Sequence, residues 1–271
     1  MLKKLFRYEF RAMGRLLLPL YGATVLMGII SSVVYSIAPG VSNSSITINN
    51  SNIVGATIFM IVMIMHVMLT LSTIVFSYVF AIYRFKRNLL DCEGYLMNTL
   101  PVTTEQNILA KLLAASIFEL LAIITVFLSW FLFTLSSSIS IKDIIDTISV
   151  GMRIWVKSVT VSDVLILIEV IVLILVAFIQ SNLMFYAAMS IGYSSNGRKM
   201  LKSIGMYVAF YIAAQIIGTI LLNIISISVG DIESNAAGHM ILLTSLIFSV
   251  AFSVGYWFLT NYFMKNKLNL Q

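Results

Sequence analysis

Three ionisable side chains stand inside long apolar stretches of the sequence, where a charge is costly. They are His66, Glu119 and Glu169. Ionisable groups in membrane-spanning segments usually face the protein interior or a water-filled cavity, and they often mark the path of a substrate or an ion. We therefore predict that these three residues line a path for a polar or cationic substrate. The alternative is that they bond across helices and stabilise the packing.

The sequence lacks the residue patterns that metal sites and intramembrane proteases need. His66 has no second histidine or cysteine near it in the sequence, and His239 is expected in an outer loop. The single cysteine excludes an internal disulfide and a multi-cysteine metal cluster. An intramembrane protease would need a serine and a histidine on facing helices, or an H-E-x-x-H motif, and the sequence shows neither pattern. We expect no catalytic, metal or cofactor site in this chain.

A nucleotide site is also absent from the sequence. The segment nearest to the P-loop pattern G-x-x-x-x-G-K-[ST] runs from Gly192 to Lys199. Arg198 stands where the pattern needs lysine, and the segment follows an apolar helix rather than a strand. If the protein uses ATP, we expect another polypeptide to bind it together with its magnesium ion.

The composition predicts a membrane protein. Hydrophobic residues make up 60% of the chain and charged residues only 10%, and the mean hydropathy is +1.00, whereas about a quarter of a soluble domain is charged. A helix of roughly 20 apolar residues spans a bilayer. We predict one all-α transmembrane domain over residues 1–271, with six spans at about 16–37, 53–83, 108–135, 164–191, 204–227 and 240–264.

Residues 1–15 predict an amphipathic helix that lies on the inner membrane surface and leads into the first span. One side carries basic residues and the other is apolar, except for Glu9. The alternative is a solvated basic tail that only sets the topology.

The basic residues predict the orientation of the spans. Of the seventeen, fourteen lie at the N-terminus, in or beside the connection between spans two and three, between spans four and five, or after span six. By the positive-inside rule these segments are cytoplasmic. We therefore predict a multi-pass protein of the cell membrane with both termini in the cytoplasm, and we interpret the net charge of +6 as an orientation signal rather than a sign of nucleic-acid binding.

The connection between spans two and three predicts a short amphipathic helix. Its helical period consists of Leu89, Leu90, Glu93, Leu96, Met97 and Leu100. Pro101 ends this period, because its ring disfavours helix in the residue before it. Thr103 and Gln106 then form a capping box for the next helix.

This connection resembles that of the permease subunits of ABC transporters of the type-2 exporter class, particularly the short bacterial form. The resemblance rests on Glu93-Gly94-Tyr95-Leu96, Thr99-Leu100-Pro101-Val102-Thr103 and Ala110-Lys111-Leu112, placed between spans two and three. It implies that the connection holds a coupling helix, which docks on the ATP-binding subunit. The residues implied in that contact are Asp91, Glu93, Gly94, Tyr95, Leu96, Leu100 and Pro101.

The resemblance also implies the function and the partners. Two permeases, as a homodimer or a heterodimer, would enclose the path in the lipid membrane, and two copies of the ATP-binding cassette subunit would hydrolyse ATP. The chain itself would be a transport subunit rather than an enzyme. Two alternatives remain open: a secondary transporter driven by an ion gradient, and an intramembrane enzyme.

Overall fold

Six long α-helices form most of the described structure. A computed structural model describes residues 2–37, 53–91, 94, 102–136, 145–146, 149–153, 159–195, 197–229 and 234–267. The helices are α1 (Leu2–Ile37), α2 (Ile53–Phe85), α3 (Thr104–Ser136), α4 (Val161–Tyr193), α5 (Lys199–Val229) and α6 (Ser234–Asn266). Each is long and apolar enough to cross a membrane, and each contains one predicted span. The all-α fold with six apolar helices is confirmed, and it is that of a multi-pass membrane protein.

The distribution of polar and apolar side chains is that of a protein surrounded by lipid. Large apolar side chains such as Phe127, Val161 and Phe258 are exposed, at 74%, 79% and 67%. The buried residues include the ionisable groups His66 and Glu119. A soluble protein rarely exposes extended apolar surface, whereas in hydrocarbon the polar groups must find partners inside the protein.

Helix α1 joins the predicted N-terminal segment to the first span without a break. Leu2–Ile37 is one continuous helix, with Pro19 inside it. Pro19 has no N–H to bond the carbonyl of Arg15, one turn earlier. Residues 2–15 are therefore the first turns of α1 rather than a separate helix.

The end of α2 and the start of α3 border the predicted coupling helix. A π-helical turn, Lys86–Leu90, extends α2, and the N–H of Asp91 closes it on the Lys86 carbonyl at 3.1 Å. At α3, the Thr103 hydroxyl accepts the Gln106 N–H at 3.3 Å, which is one of the two bonds of the predicted capping box. Leu89 and Leu90 thus continue α2.

The chain divides into two compact units. Unit one consists of Met1–Glu9, Phe80–Ser116 and Val159–Gln271. In its core, α4 packs against α5, α6 and the π-helical turn. The Phe85 ring stacks on the Tyr186 ring of α4, with 3.8 Å between the centroids, so the end of α2 is tied to α4.

Unit two consists of Phe10–Val79 and Ile117–Ser158. Hydroxyl groups join its helices: Tyr21 bonds Ser77 at 2.8 Å, and Thr24 bonds Thr73 at 2.6 Å. Interhelical hydrogen bonds of this kind stabilise helix pairs in membranes. In the connection between α3 and α4, the described residues 145–146 and 149–153 are helical.

Candidate functional site

A buried ion cluster lies at the end of α2 and the start of α3. Glu9, in the third turn of α1, is 1% exposed. Its Oε2 accepts from Arg84 through Nε at 3.0 Å and Nη2 at 2.8 Å, and its Oε1 accepts from Lys111 Nζ at 2.6 Å. The Asn88 amide lies at the same Oε1 at 3.5 Å. We call Glu9, Arg84, Asn88 and Lys111 the Glu9 cluster.

The cluster satisfies a carboxylate that would otherwise be costly to bury. Two cations contact one anion, and Arg84 does so through two N–H groups on one oxygen. Charged hydrogen bonds of this kind are shorter and stronger than neutral ones. Removing one partner from such a buried set typically costs about 3–5 kcal/mol, because a buried charge is left uncompensated. The cluster therefore holds its three helical segments in one arrangement.

The cluster lies on both sides of the predicted coupling helix in the chain. Arg84 and Asn88 come just before the predicted coupling helix, and Lys111 comes just after it. Glu9 belongs to the N-terminal turns of α1. One carboxylate thus links the N-terminal helix to both flanks of the connection between α2 and α3. A displacement of that connection would act on α1 through charged bonds.

The π-helical turn lets the end of α2 contact both the apolar core around α4 and the Glu9 carboxylate. Phe85, Leu89 and Leu90 are buried in the apolar core with residues of α4. Arg84 and Asn88 bond Glu9. A π-turn shifts the register of the side chains, and such turns are frequent at functional sites.

The predicted coupling residues are only partly described. The Asp91 carboxylate lies 3.9 Å from Lys86 Nζ and its side chain is 41% exposed. Gly94 is buried, and its N–H donates to the Asp91 carbonyl at 2.8 Å. Glu93, Tyr95, Leu96, Leu100 and Pro101 lie outside the described residues, so their role stays a prediction.

His66 lies at the centre of a polar network in unit two. It is fully buried, and its ring stacks on Trp130 with 4.8 Å between the centroids. Its Nδ1 bonds the Ser31 hydroxyl at 3.1 Å and its Nε2 bonds the Ser129 hydroxyl at 2.7 Å. Ser129 also bonds the carbonyl of Thr24 at 2.8 Å. These bonds join α1, α2 and α3. His66 therefore stabilises the packing of the helices, which was the alternative to a substrate path.

Glu119 is buried in α3 of the same unit, at 5% exposure. It follows Phe118, whose carbonyl accepts the Tyr21 hydroxyl at 2.8 Å. The described contacts do not bond Glu119 to His66. A substrate path through these two residues stays a prediction.

Glu169 has a partner that the sequence did not suggest. Both of its carboxylate oxygens lie 3.0 Å from Nδ1 of His239. His239 was expected in an outer loop, and this was wrong, because α6 begins at Ser234 and includes it. Nε2 of His239 bonds the Ser162 hydroxyl at 2.8 Å. A serine, a histidine and a carboxylate are thus bonded in series between α4 and α6.

The sequence gives a hint of the Glu9 cluster but not of the pairing of Glu169 with His239. A lone acid on the apolar face of a basic helix needs a buried counter-charge, and Lys111 stands within an apolar run. Glu169 and His239 are separated by 70 positions, so only the packing of α4 against α6 pairs them. Among the described residues, no group of three or more His, Cys, Asp and Glu side chains is placed to hold a metal ion.

Comparisons of the chain with protein-family models, with curated proteins and with solved structures find no match.

Proposed function

We propose that this chain is the permease subunit of an ATP-driven exporter of the ABC type. The observation that supports the proposal most is the Glu9 cluster, which links the N-terminal helix to both flanks of the segment resembling a coupling helix. The six apolar helices supply the membrane domain that such a subunit needs. The sequence lacks the P-loop pattern, so the proposal requires a partner chain that hydrolyses ATP.

In the proposed mechanism, closure of two ATP-binding subunits moves the connection between α2 and α3. Arg84 and Lys111 carry this movement to Glu9, and α1 carries it into the membrane. A rigid, buried ion cluster suits this task, since bonded and well-packed groups transmit displacement instead of absorbing it. The permeases act as a pair, as a homodimer or a heterodimer, in the cell membrane with both termini in the cytoplasm.

The experiment is a mild-detergent purification of the tagged chain from its native membrane, with identification of bound proteins and an ATPase assay. We expect an ATP-binding subunit to co-purify with the wild type. Glu93→Lys and Leu96→Lys are each expected to remove it, because they place a cation in the proposed contact. Glu233→Lys is the matched control: it makes the same charge change on the opposite side of the proposed topology and should retain the partner.

The same preparation separates the alternatives. If the wild-type chain is recovered alone and without ATPase activity, the exporter proposal fails. An ion-gradient-driven transporter is then tested by transport into vesicles under an imposed proton or sodium gradient. If Glu233→Lys loses the partner as completely as Glu93→Lys, the proposed docking site is wrong.

A second candidate, an intramembrane hydrolase, is favoured by the series Ser162, His239 and Glu169. A nucleophile, a base and an orienting carboxylate are bonded in this order in serine hydrolases. A fluorophosphonate probe reacts with activated serines. Labelling of the wild type that is lost in Ser162→Ala would support this candidate, and an unlabelled wild type would reject it.

A further inference from the structure

A cavity of about 300 Å³ lies between α4, α5 and α6 of unit one. Gln180 of α4, Gln215 of α5 and Ser249 of α6 line it. At 1.5 Å per residue, each of these positions is at least about 20 Å from either end of its helix. The cavity therefore lies at the middle of the three apolar helices, the depth at which polar groups are most costly.

The polar groups of the cavity are only partly used by the protein. Gln180 accepts the Ser249 hydroxyl, a bond that joins α4 to α6. The hydroxyl protons of Thr244 and Ser245 go to backbone carbonyls of their own helix, at 2.8 Å each, which leaves both oxygens as acceptors. Within the described part of the chain, no hydrogen bond is found for the Gln215 amide. Acceptors and an amide thus meet at one cavity.

Charge is missing from the walls of this cavity. Its described lining contains no acidic or basic residue, and the rest of the wall is formed by Ala214, Gly218, Thr219, Leu221, Leu222 and Phe248. A charged ligand here would lose its hydration without gaining a counter-charge, which is strongly unfavourable. An uncharged ligand with hydrogen-bonding groups would lose little, because the wall replaces its bonds to water.

We propose that this cavity binds an uncharged amphipathic molecule, whose hydroxyl or amide groups bond Gln215 and the acceptors of α6. Its apolar part packs on Leu222 and Phe248. Helix packing accounts for the bond between Gln180 and Ser249, but it leaves the Gln215 amide unexplained. The inference that this molecule is the substrate of the exporter rests on the proposed function. Binding at the cavity is measurable on the chain alone.

The binding test uses the purified full chain in nanodiscs, without ATP or a partner subunit. The probe is an alkyl glucoside with a diazirine in its chain, and the labelled peptides are identified by mass spectrometry. We expect labelling of α4, α5 and α6 around the cavity, and competition by unlabelled octyl glucoside. An alkyl trimethylammonium probe with the same diazirine chain should label the cavity far less, because it carries an uncompensated charge. Equal labelling by the two probes would overturn the proposed ligand class.

Two pairs of variants on α5 locate the site. A Cβ at Gly218 would lie 3.7 Å from the Phe248 ring, whereas one at Gly205 meets nothing within 4 Å. Gly218→Leu should therefore fill the cavity and abolish labelling, and Gly205→Leu should not. Gln215→Leu should weaken binding about threefold to tenfold, which is the effect expected from the loss of one neutral hydrogen bond. Asn223→Leu is its control, because the Asn223 amide bonds the Thr219 carbonyl of its own helix.

The outcomes separate this inference from the proposed function. Labelling that is equal in Gly218→Leu and Gly205→Leu would overturn the site, even if an ATP-binding subunit co-purifies. If no ATP-binding subunit co-purifies from the native membrane but the purified chain is labelled specifically, the site is supported and the exporter proposal fails. A Gly218→Leu chain that fails to fold is replaced by Gly218→Val, which fills less of the cavity and should lower the labelling in part.

Discussion

At the scale of the residue, the Glu9 cluster shows how one buried carboxylate joins cations that are far apart in the sequence. The sequence presents Glu9 as an interruption of an apolar face, and it counts Arg84 and Lys111 only as orientation signals. The structure brings the three together with 1% of Glu9 and 3% of Lys111 exposed. Such a contact between positions 9 and 111 cannot be read from the sequence, since it depends on how α1 lies against α2 and α3.

We predict that Glu9→Gln destabilises the chain by about 3–5 kcal/mol, because Arg84 and Lys111 then share a buried site without the carboxylate between them. The measurement is the loss of folded chain on heating in detergent, followed by size-exclusion chromatography.

Glu105→Gln is the matched control for this prediction. Glu105 is exposed and accepts a bond from Asn261 at 3.1 Å, so its removal should change stability by at most about 1 kcal/mol. Equal losses in the two variants would show that the cluster does not hold the helices. The double variant Glu9→Lys with Lys111→Glu should recover part of the stability that Glu9→Lys alone loses, because the carboxylate at position 111 again faces a cation at position 9.

At the scale of the element, close approach of helices depends on small residues. A Cβ at Gly28 of α1 would collide with the backbone carbonyl of Ser129 on α3. The same region carries the bonds of Ser129 to His66 and to the Thr24 carbonyl. Glycine at this position therefore permits the contact on which the His66 network depends, as small residues commonly do in membrane bundles.

Gly28→Ala should lower the stability of the chain by about 1–3 kcal/mol, the usual range for overpacking. Gly22→Ala, on the same helix, adds its Cβ to open space and should be neutral or slightly stabilising, because alanine favours helix. Thermal unfolding of the two variants side by side is the measurement. If Gly28→Ala unfolds no earlier than Gly22→Ala, the helices do not meet at this glycine.

At the scale of the whole molecule, burial is distributed as lipid requires. Apolar side chains cover the outside of the helices, while His66, Glu119 and Lys111 are buried. This distribution agrees with helices that lie in a bilayer. The direction in which the helices cross stays a prediction, which rests on the basic segments and the positive-inside rule.

The predicted topology is testable with two cysteines in a Cys92→Ser background. Val161 and Met200 are 79% and 59% exposed, at opposite ends of the connected helices α4 and α5. An impermeant maleimide should label Val161→Cys in intact cells, and Met200→Cys only after the cells are permeabilised. The reverse pattern would place the termini outside and contradict the orientation.

The sequence by itself determined the class of the protein and the number of its spans. Length and hydropathy are local quantities, and a helix that satisfies its own backbone bonds is required wherever an apolar run enters a bilayer. The turn chemistry at Thr103 was likewise readable, since a cap involves residues three positions apart.

Only the tertiary structure decided which charges meet. The Glu9 cluster, the pairing of Glu169 with His239 and the polar cavity around Gln215 each join distant helices. Such contacts depend on how the helices pack and rotate about their axes, and the spacing of residues along one helix does not determine either.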